Sequence, residues 1–433
     1  MPLSLPKTRI EVKKIQSERK RVALQQAMRS PFWKKRLPSV NPEKLDDPEV
    51  WRKIPVLDKD TLRGLTDRQF YDEFCLQPPE GIQEYWRSGG VTGMPLFYPR
   101  SFRDMEYGLL SFARTYDCAG AVRGDRAHVS FPMGIHPVGQ VFARCAASRG
   151  ITVNWAGSGA STPTALQLEL IQRLQPTIWL GMSSYALHLA NLAEAKGIEL
   201  KIKTIMTSAE PVSQAKREKI ERTWGAKLVD TFGMTEAGMM GAESRDDAPG
   251  AGFRIWSDMY YVEVLDPKTY EPVKEGETGT LVVTALWSNN VTPFLRWSSG
   301  DLVTYSEADD AGEGKEAGPY SVFPLVKHAH RTAGFFKVRG VNLGHQDLED
   351  FMFRHAEIGD FRAEAVNEGD NDLLRLCIEL RRGSDVDFFC RELTRTVKEK
   401  FELAPQIAVL ETGTLAKEFE ANVKAARFVD RRN

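Results

Sequence analysis

The chain has few cysteines. Its 433 residues include five, Cys75, Cys118, Cys145, Cys377 and Cys390, and no two of them form a C-x-x-C pair. That scatter offers neither a zinc site nor the paired spacing of a disulfide framework, and it suits a reducing, cytoplasmic setting. Long apolar runs are missing too. The opening stretch MPLSLPKTRIEVKKIQ lacks the apolar centre of a signal peptide, and no uncharged apolar segment reaches the length of a membrane span. Neither sign of charge dominates: 58 Lys and Arg stand against 59 Asp and Glu, a net charge of -1. A dedicated nucleic-acid binder carries a surplus of basic side chains to displace counterions, so nucleic acid is excluded as a partner, and a small ligand is not.

What is present is an ordinary globular composition, 42% hydrophobic and 27% charged, in a chain long enough for two or three domains. One stretch departs from it. In WRSGGVTGMP, residues 86–95, three glycines, a serine and a threonine fall between 88 and 93. Each glycine loses more backbone freedom on folding than any other residue, so a strand or helix interior is excluded and the segment is a loop. Such a loop either just reverses the chain or, with bare N–H groups and small hydroxyls, wraps a phosphate chain.

The N-terminal stretch Lys13–Leu37 reads as one charged amphipathic helix, its basic run 13–21 a solvated face. After the glycine loop, helical and strand patterns alternate. DMEYGLLSFARTYD, VGQVFARCAASRG, TALQLELIQRLQ, SYALHLANLAEAKG and SQAKREKIERTWG have helical period, and AHVSFP, ITVNWAG, TIWLG, IKTIMTSAE and AKLVDTFGM are strands. Alternation of this kind predicts a mostly parallel sheet covered by helices, with ligands beyond the carboxyl ends of the strands. From about 252 to 330 the strands shorten and lie between turns, which predicts an antiparallel subdomain. Past VRGVNLG the chain reads as a compact α+β module. The expected class is therefore α/β, with a large N-terminal domain over 1–333 and a small mobile α+β domain over 334–433.

Six short motifs follow in order: SGGVTGMP at 88–95, SAEP at 208–211, FGMTE at 232–236, SGDL at 299–302, VRGVNL at 338–343 and VKAARFVDRR at 423–432. Together they resemble the adenylate-forming superfamily, and within it the phenylacetate-CoA ligase-like branch. The resemblance covers nearly the whole chain. It implies an enzyme that joins a carboxylic acid to AMP, releases pyrophosphate and passes the acyl group to the thiol of coenzyme A. ATP, Mg2+ and coenzyme A are the implied cofactors and co-substrates, and a homodimer is compatible with the chain.

The resemblance also implies roles. Ser88, Gly89, Gly90, Thr92 and Gly93 match the phosphate-holding loop, although the family usually has Ser, Thr and often Lys where Gly89, Val91 and Met94 stand. Glu236 matches the magnesium ligand, and a hard carboxylate oxygen suits an ion that keeps several waters while bridging phosphates. Thr235 would donate to the α-phosphate, beside Phe232, Gly233 and Met234. Asp301 matches the acceptor of both ribose hydroxyls. Ser208, Ala209 and Glu210 match the adenine-side strand end, and Arg331 matches the hinge arginine, which either reaches the nucleotide or makes a surface ion pair. Lys424 matches the catalytic lysine, with Lys417 in reserve because LAKEFEANVK is longer than the family's approach to that residue. The acid would lie against Phe131, Met133, Ile135, His136 and Tyr185, an apolar slot suited to an aromatic or other hydrophobic carboxylate. His136 either lines that slot or caps a helix and faces the core.

Two departures bear on the second half-reaction. Ala333 and Gly334 stand where the family's hinge has acids, and Gly344 and His345 stand in place of a Phe-Pro-Ser-like turn. Two alternatives therefore stay open: an adenylating enzyme with another acceptor, such as an amine, a carrier protein or a deazaflavin cofactor, and a nucleotide-binding protein without catalysis.

Overall fold

The computed structural model describes residues 3–37, 40–87, 96–248, 250–307, 318–331, 335–339, 341–368, 371–381, 383–418 and 426–432. By compactness the chain divides into two units. The first comprises Met1–Asp125, Met133–Thr152 and Val229–Thr332, and the second Arg126–Pro132, Val153–Leu228 and Ala333–Asn433.

In the first unit, a sheet runs in the order Tyr260–Leu265, Thr278–Ala285, Trp297–Ser306, Leu325–Arg331, Phe253–Ile255, Gly238–Ala242 and Lys227–Met234. All these neighbours pair antiparallel. Antiparallel pairing thus begins ahead of residue 252, where the sequence pattern changes. The reason is local. Gly238 has φ +99, which lets the chain double back after Met234, and a Cβ on Gly233 would come within 2.6 Å of the Gly238 carbonyl oxygen. Met240, Ile255, Trp256, Leu281, Val283 and Val303 are buried together between the strands and the elements that cover them.

The helix Phe102–Cys118 covers this sheet. Ser101 and Asp104 form a capping box at its start, and Asp104 Oδ1 also accepts from the backbone and side-chain nitrogens of Asn290 at 3.0 and 2.8 Å. Arg114, on the buried face, makes a two-pronged ion pair with Asp258 at 2.6 and 2.7 Å. Both side chains are sealed from solvent, so each depends on the other for its hydrogen bonds.

The N-terminal stretch is two helices and not one. The first spans Arg9–Ala27, with Thr8 Oγ1 accepting from Glu11 N at 3.2 Å, and the second spans Pro31–Lys34 behind Ser30. Pro31 has no N–H to continue the first helix, yet its fixed φ suits the first position of a new one.

In the second unit, the parallel strands Thr204–Thr207, Ile178–Gly181 and Arg126–Val129 lie side by side in that order. The helices that leave two of them, Ser183–Ala195 and Gln214–Trp224, are tied together by Trp224 Nε1, which donates to the Ala186 carbonyl at 2.9 Å. A second sheet runs in the order Gln406–Leu410, Asn371–Leu380, Ile358–Glu368 and Phe428–Asp430, its central pair antiparallel and its outer strands parallel to their neighbours. Among the described residues no helix is long and apolar enough to cross a membrane.

Candidate functional site

Ser88, Gly89, Gly90, Thr92 and Gly93 lie outside the described residues. The strands on either side, Ile82–Arg87 and Phe97–Ser101, form an antiparallel hairpin in the register Arg87↔Phe97 and Trp86↔Tyr98. Period-two alternation along the second arm sends Tyr98 and Arg100 to the same face, and both are buried.

That face meets the turn after the strand Lys227–Met234. Tyr98 Oη donates to Glu236 Oε1 at 3.2 Å, and Arg100 Nη2 donates to the carbonyl oxygens of Thr235 and Glu236 at 2.5 and 2.7 Å. Glu236 is 6% exposed. Burial raises its proton affinity above that of an ordinary carboxyl, against the opposing effects of its own backbone N–H, Lys59, Tyr98 and Arg100. A carboxylate held in so dry a place gains from a cation. Among the described residues no three His, Cys, Asp or Glu side chains gather to cage a metal. A single hard oxygen donor fits an ion such as Mg2+, which keeps its waters and is shared with phosphates.

Asp301 sits in the strand Trp297–Ser306, opposite Arg331 of the neighbouring strand, and is 5% exposed. Ser299 Oγ donates to Asp301 Oδ2, and His328 Nε2 lies 3.5 Å from Oδ1. The His328 ring is inclined to that of Phe232 at 6.3 Å, and Phe232 stacks on Phe253 at 5.3 Å. Phe232 and Asp301, from separate motifs, thus meet through His328. Gly233 is exposed beside Phe232, with Met234 half-buried.

In the second unit, Ser208, Ala209 and Glu210 follow the strand Thr204–Thr207. Ser208 is buried, Ala209 is exposed with φ +70, a left-handed conformation rare outside glycine, and Glu210 turns back to the helix Ser183–Ala195. Its carboxylate accepts from Ser184 N at 3.0 Å, Ser184 Oγ at 2.9 Å and Ser183 Oγ at 3.2 Å. A negative charge on the first N–H groups of a helix answers both their unmet hydrogen bonds and the helix dipole.

Of the acid-slot residues, Phe131 and Tyr185 belong to the second unit. Both are buried, and Tyr185 Oη shares a hydrogen bond with Thr164 Oγ1 at 3.2 Å. Met133, Ile135 and His136 belong to the first unit, just before the helix Pro137–Ser148. His136 occupies the capping position of that helix, but its side chain makes no capping bond. Ile135 is largely exposed, and Gln140 Nε2 ties the approach by donating to the carbonyls of Met133 and Gly134 at 2.6 and 2.8 Å. Lys424, Ala333 and Gly334 lie outside the described residues, and Lys417 is exposed. His345 stacks flat on Phe428 at 4.2 Å, and burial lowers its pKa to about 4, so it is a neutral ring near pH 7.

Residues 88–288 match the family of AMP-binding enzymes. Over 96% of its length the chain is 28% identical to the phenylacetate-coenzyme A ligase of Pseudomonas putida, covering 93% of that protein. It is also 26% identical to the phenylacetate-coenzyme A ligase of Escherichia coli K12, with 98% of this chain and 95% of that one aligned. Over nearly its whole length the chain is thus similar to the phenylacetate-CoA ligase-like branch of adenylate-forming enzymes. Its fold superposes on a 2-hydroxyisobutyryl-CoA ligase crystallised in the postadenylation state with R3-HIB-AMP, with TM-score 0.83 and 22% identity, over 96% of this chain and 89% of that one.

At this site, sequence reasoning missed Tyr98, Arg100 and His328. The signal for the first two was the alternation in FYPRS directly after the glycine loop, which puts a phenol and a guanidinium on one strand face. Nothing in the sequence pairs His328 with Asp301. That contact depends on the register of two strands whose connection crosses residues 307–324.

Proposed function

We propose that the protein activates an aromatic or other hydrophobic carboxylic acid with ATP and transfers the acyl group to coenzyme A. In the first step, a carboxylate oxygen of the acid attacks the α-phosphorus of ATP. A new P–O bond forms, the bond to the bridging oxygen breaks, and pyrophosphate leaves with its electron pair. In the second step, the coenzyme A thiolate attacks the carbonyl carbon of the acyl-AMP and AMP departs. Both partners of the first step are anions, so the residues present must offset charge and fix alignment.

For the described residues each role rests on motif and surroundings together, and for Ser88, Gly89, Gly90, Thr92, Gly93 and Lys424 on the motif alone. Thr235 donates to the α-phosphate, and Glu236 takes Mg2+, which when bound neutralises phosphate charge. Asp301, already gripped at one oxygen by Ser299, accepts the ribose hydroxyls, with Phe232 beside the base. Ser88, Gly89, Gly90, Thr92 and Gly93 hold the outer phosphates, and Lys424 offsets charge at the attacking carboxylate. Ser208 and Ala209 offer backbone to the adenine, while Glu210 serves the adenine side by anchoring Ser183 and Ser184. Phe131, Met133, Ile135, His136 and Tyr185 select the acid. We further assign residues 1–333 to the AMP-binding domain and 334–433 to a mobile lid. The five free thiols are consistent with a reducing, cytoplasmic setting, and a homodimer is compatible with the chain.

The observation that carries this reading is the Thr235–Glu236 turn, a buried carboxylate beside a half-buried hydroxyl-bearing residue at the end of a strand. Pyrophosphate release over a panel of carboxylates, with and without coenzyme A, tests it. Release dependent on an aryl or hydrophobic acid, with thioester appearing once coenzyme A is added, is the expected result. Adenylation without thioester replaces the acceptor, and no release with any acid removes the enzymatic reading.

A further inference from the structure

Arg100 is the least expected residue in the first unit. It is 2% exposed, yet no carboxylate among the described residues lies within ion-pair distance of it, and its Nε is buried with no hydrogen-bond partner. Its other nitrogens are spent on neutral oxygens. Nη2 grips the carbonyls of Thr235 and Glu236, Nη1 donates to Thr292 Oγ1 at 3.3 Å, and the guanidinium lies 4.7 Å over the Trp86 ring. A buried cation whose hydrogen bonds all go to neutral oxygens, with the Asp104 and Glu236 carboxylates opposing its desolvation only from beyond ion-pair distance, is costly, and a methionine would fill the space without that cost. The arrangement therefore serves something other than stability.

What it fixes is the orientation of two peptide groups. Peptide planarity sets each N–H opposite its carbonyl, so gripping the oxygens of Thr235 and Glu236 turns the N–H groups of Glu236 and Ala237 away from the guanidinium. The N–H of Glu236 lies against its own carboxylate, and Tyr98 holds Oε1 from the side. The planar fork of arginine can span two carbonyls in a fixed geometry, which a lysine ammonium cannot reproduce.

We propose that Arg100 is a positioning residue for the metal–phosphate site: it clamps the Thr235–Glu236 turn from beneath so that the Glu236 carboxylate is presented in one orientation. This rests on the reading of Glu236 as the magnesium ligand given above. The sign of the effect separates positioning from simple electrostatics. By charge alone, removing a cation near Glu236 strengthens the binding of a second cation, whereas by positioning it weakens it.

Calorimetric binding of ATP, with and without Mg2+ and with no acid present, reads this directly in the full-length wild type, Arg100→Met, Arg100→Lys and Glu236→Gln. Mg2+ should tighten ATP binding in the wild type, and Arg100→Met should lose about tenfold of that tightening. Arg100→Lys should lose about threefold. Circular dichroism checks folding. If Arg100→Met does not fold, the Lys variant alone decides by the same sign. Unchanged or increased Mg2+ tightening in the folded Arg100 variants overturns the proposal, as does an equal loss of ATP affinity with and without Mg2+. Glu236→Gln serves as the reference. If it keeps wild-type Mg2+ tightening, the reading of Glu236 itself fails. If it loses the tightening while the Arg100 variants keep it, only the present inference does.

Discussion

At Asp301 one carboxylate oxygen holds the Ser299 hydroxyl and the other faces His328, so the plane of the carboxylate is set before any ligand arrives. A carboxylate offers about four acceptor positions and suits the paired hydroxyls of a vicinal diol. Asp301→Ala should therefore raise the KM for ATP about tenfold to a hundredfold, while the KM for the acid moves less than about threefold. Steady-state pyrophosphate release with each substrate varied in turn makes the comparison, and equal rises in both would make Asp301 structural. Glu236 and Asp301 could be picked out from the sequence because each sits in a short string of distinctive residues. Arg100 could not, because its meaning lies in carbonyls that stand 135 and 136 positions further along the chain. A lone arginine in a strand is ordinarily a surface residue.

The helix Gln214–Trp224 carries a comparable surprise at the scale of elements. Its sequence, QAKREKIERTW, is dense in charge, yet Lys216 and Lys219 are both buried. Lys216 Nζ meets Glu349 of the helix His345–Arg354 at 3.2 Å, and Lys219 Nζ donates to the carbonyls of Ile358 and Gly359, the latter at 2.7 Å, with the Phe353 ring 5.0 Å away. Arg427 completes the cluster by pairing with Glu349 and Asp360. Charge pattern alone cannot separate a helix facing water from one facing another layer of protein, since lysine stems cover apolar surface in either case. Burial lowers the Lys219 pKa to about 7, with Asp360 and Glu194 opposing and Arg381 and Arg427 adding to the fall. The linkage follows from the proton count. Between about pH 7 and the ordinary lysine range the unfolded chain binds the extra proton and the folded one does not, so this group's contribution to stability rises with pH across that window. The opening free energy of the strand Ile358–Glu368, from native-state hydrogen exchange corrected for intrinsic rates, should therefore gain on that of Lys219→Met by roughly 1 kcal/mol per pH unit between pH 7 and 9. A difference that stays flat with pH would mean that Lys219 is charged in the fold.

For the whole molecule, the class of fold could be read from the sequence because periodicity is a local property: the strands Arg126–Val129, Ile178–Gly181 and Thr204–Thr207, and the helices that follow the last two, stand where alternation put them. The grouping of those elements was not, because a compact unit is built from contacts between distant segments. The second unit takes Arg126–Pro132, Val153–Leu228 and Ala333–Asn433 together, an assembly that no linker composition announces. Pairing order was hidden for the same reason. The change from parallel to antiparallel at the strand Gly238–Ala242 turns on one glycine with positive φ and not on a shift in composition.

The sharpest test at this scale separates the two half-reactions. The chemistry proposed for Lys424 is to offset negative charge as the acid's carboxylate approaches the α-phosphate, and that charge disappears once the acyl-AMP has formed. The thiolate attack that follows places charge on the carbonyl oxygen and the departing AMP instead. A lysine dedicated to the first step is therefore dispensable in the second. Lys424→Ala should slow acid-dependent pyrophosphate release by about a hundredfold or more, as expected for loss of a charge-stabilising group in a transition state. The same variant, given the acyl-AMP directly, should convert it to thioester with coenzyme A within about threefold of the wild-type rate, since a change that small corresponds to less than 1 kcal/mol of barrier. Lys417→Ala, at an exposed position before the strand Phe428–Asp430, should leave both rates unaltered. Should Lys424→Ala slow both half-reactions alike, the lysine holds the C-terminal segment together and does not serve the chemistry. Should the wild type itself leave acyl-AMP untouched by coenzyme A, the acceptor is another nucleophile, and an amine or a carrier thiol offered in the same assay identifies its class.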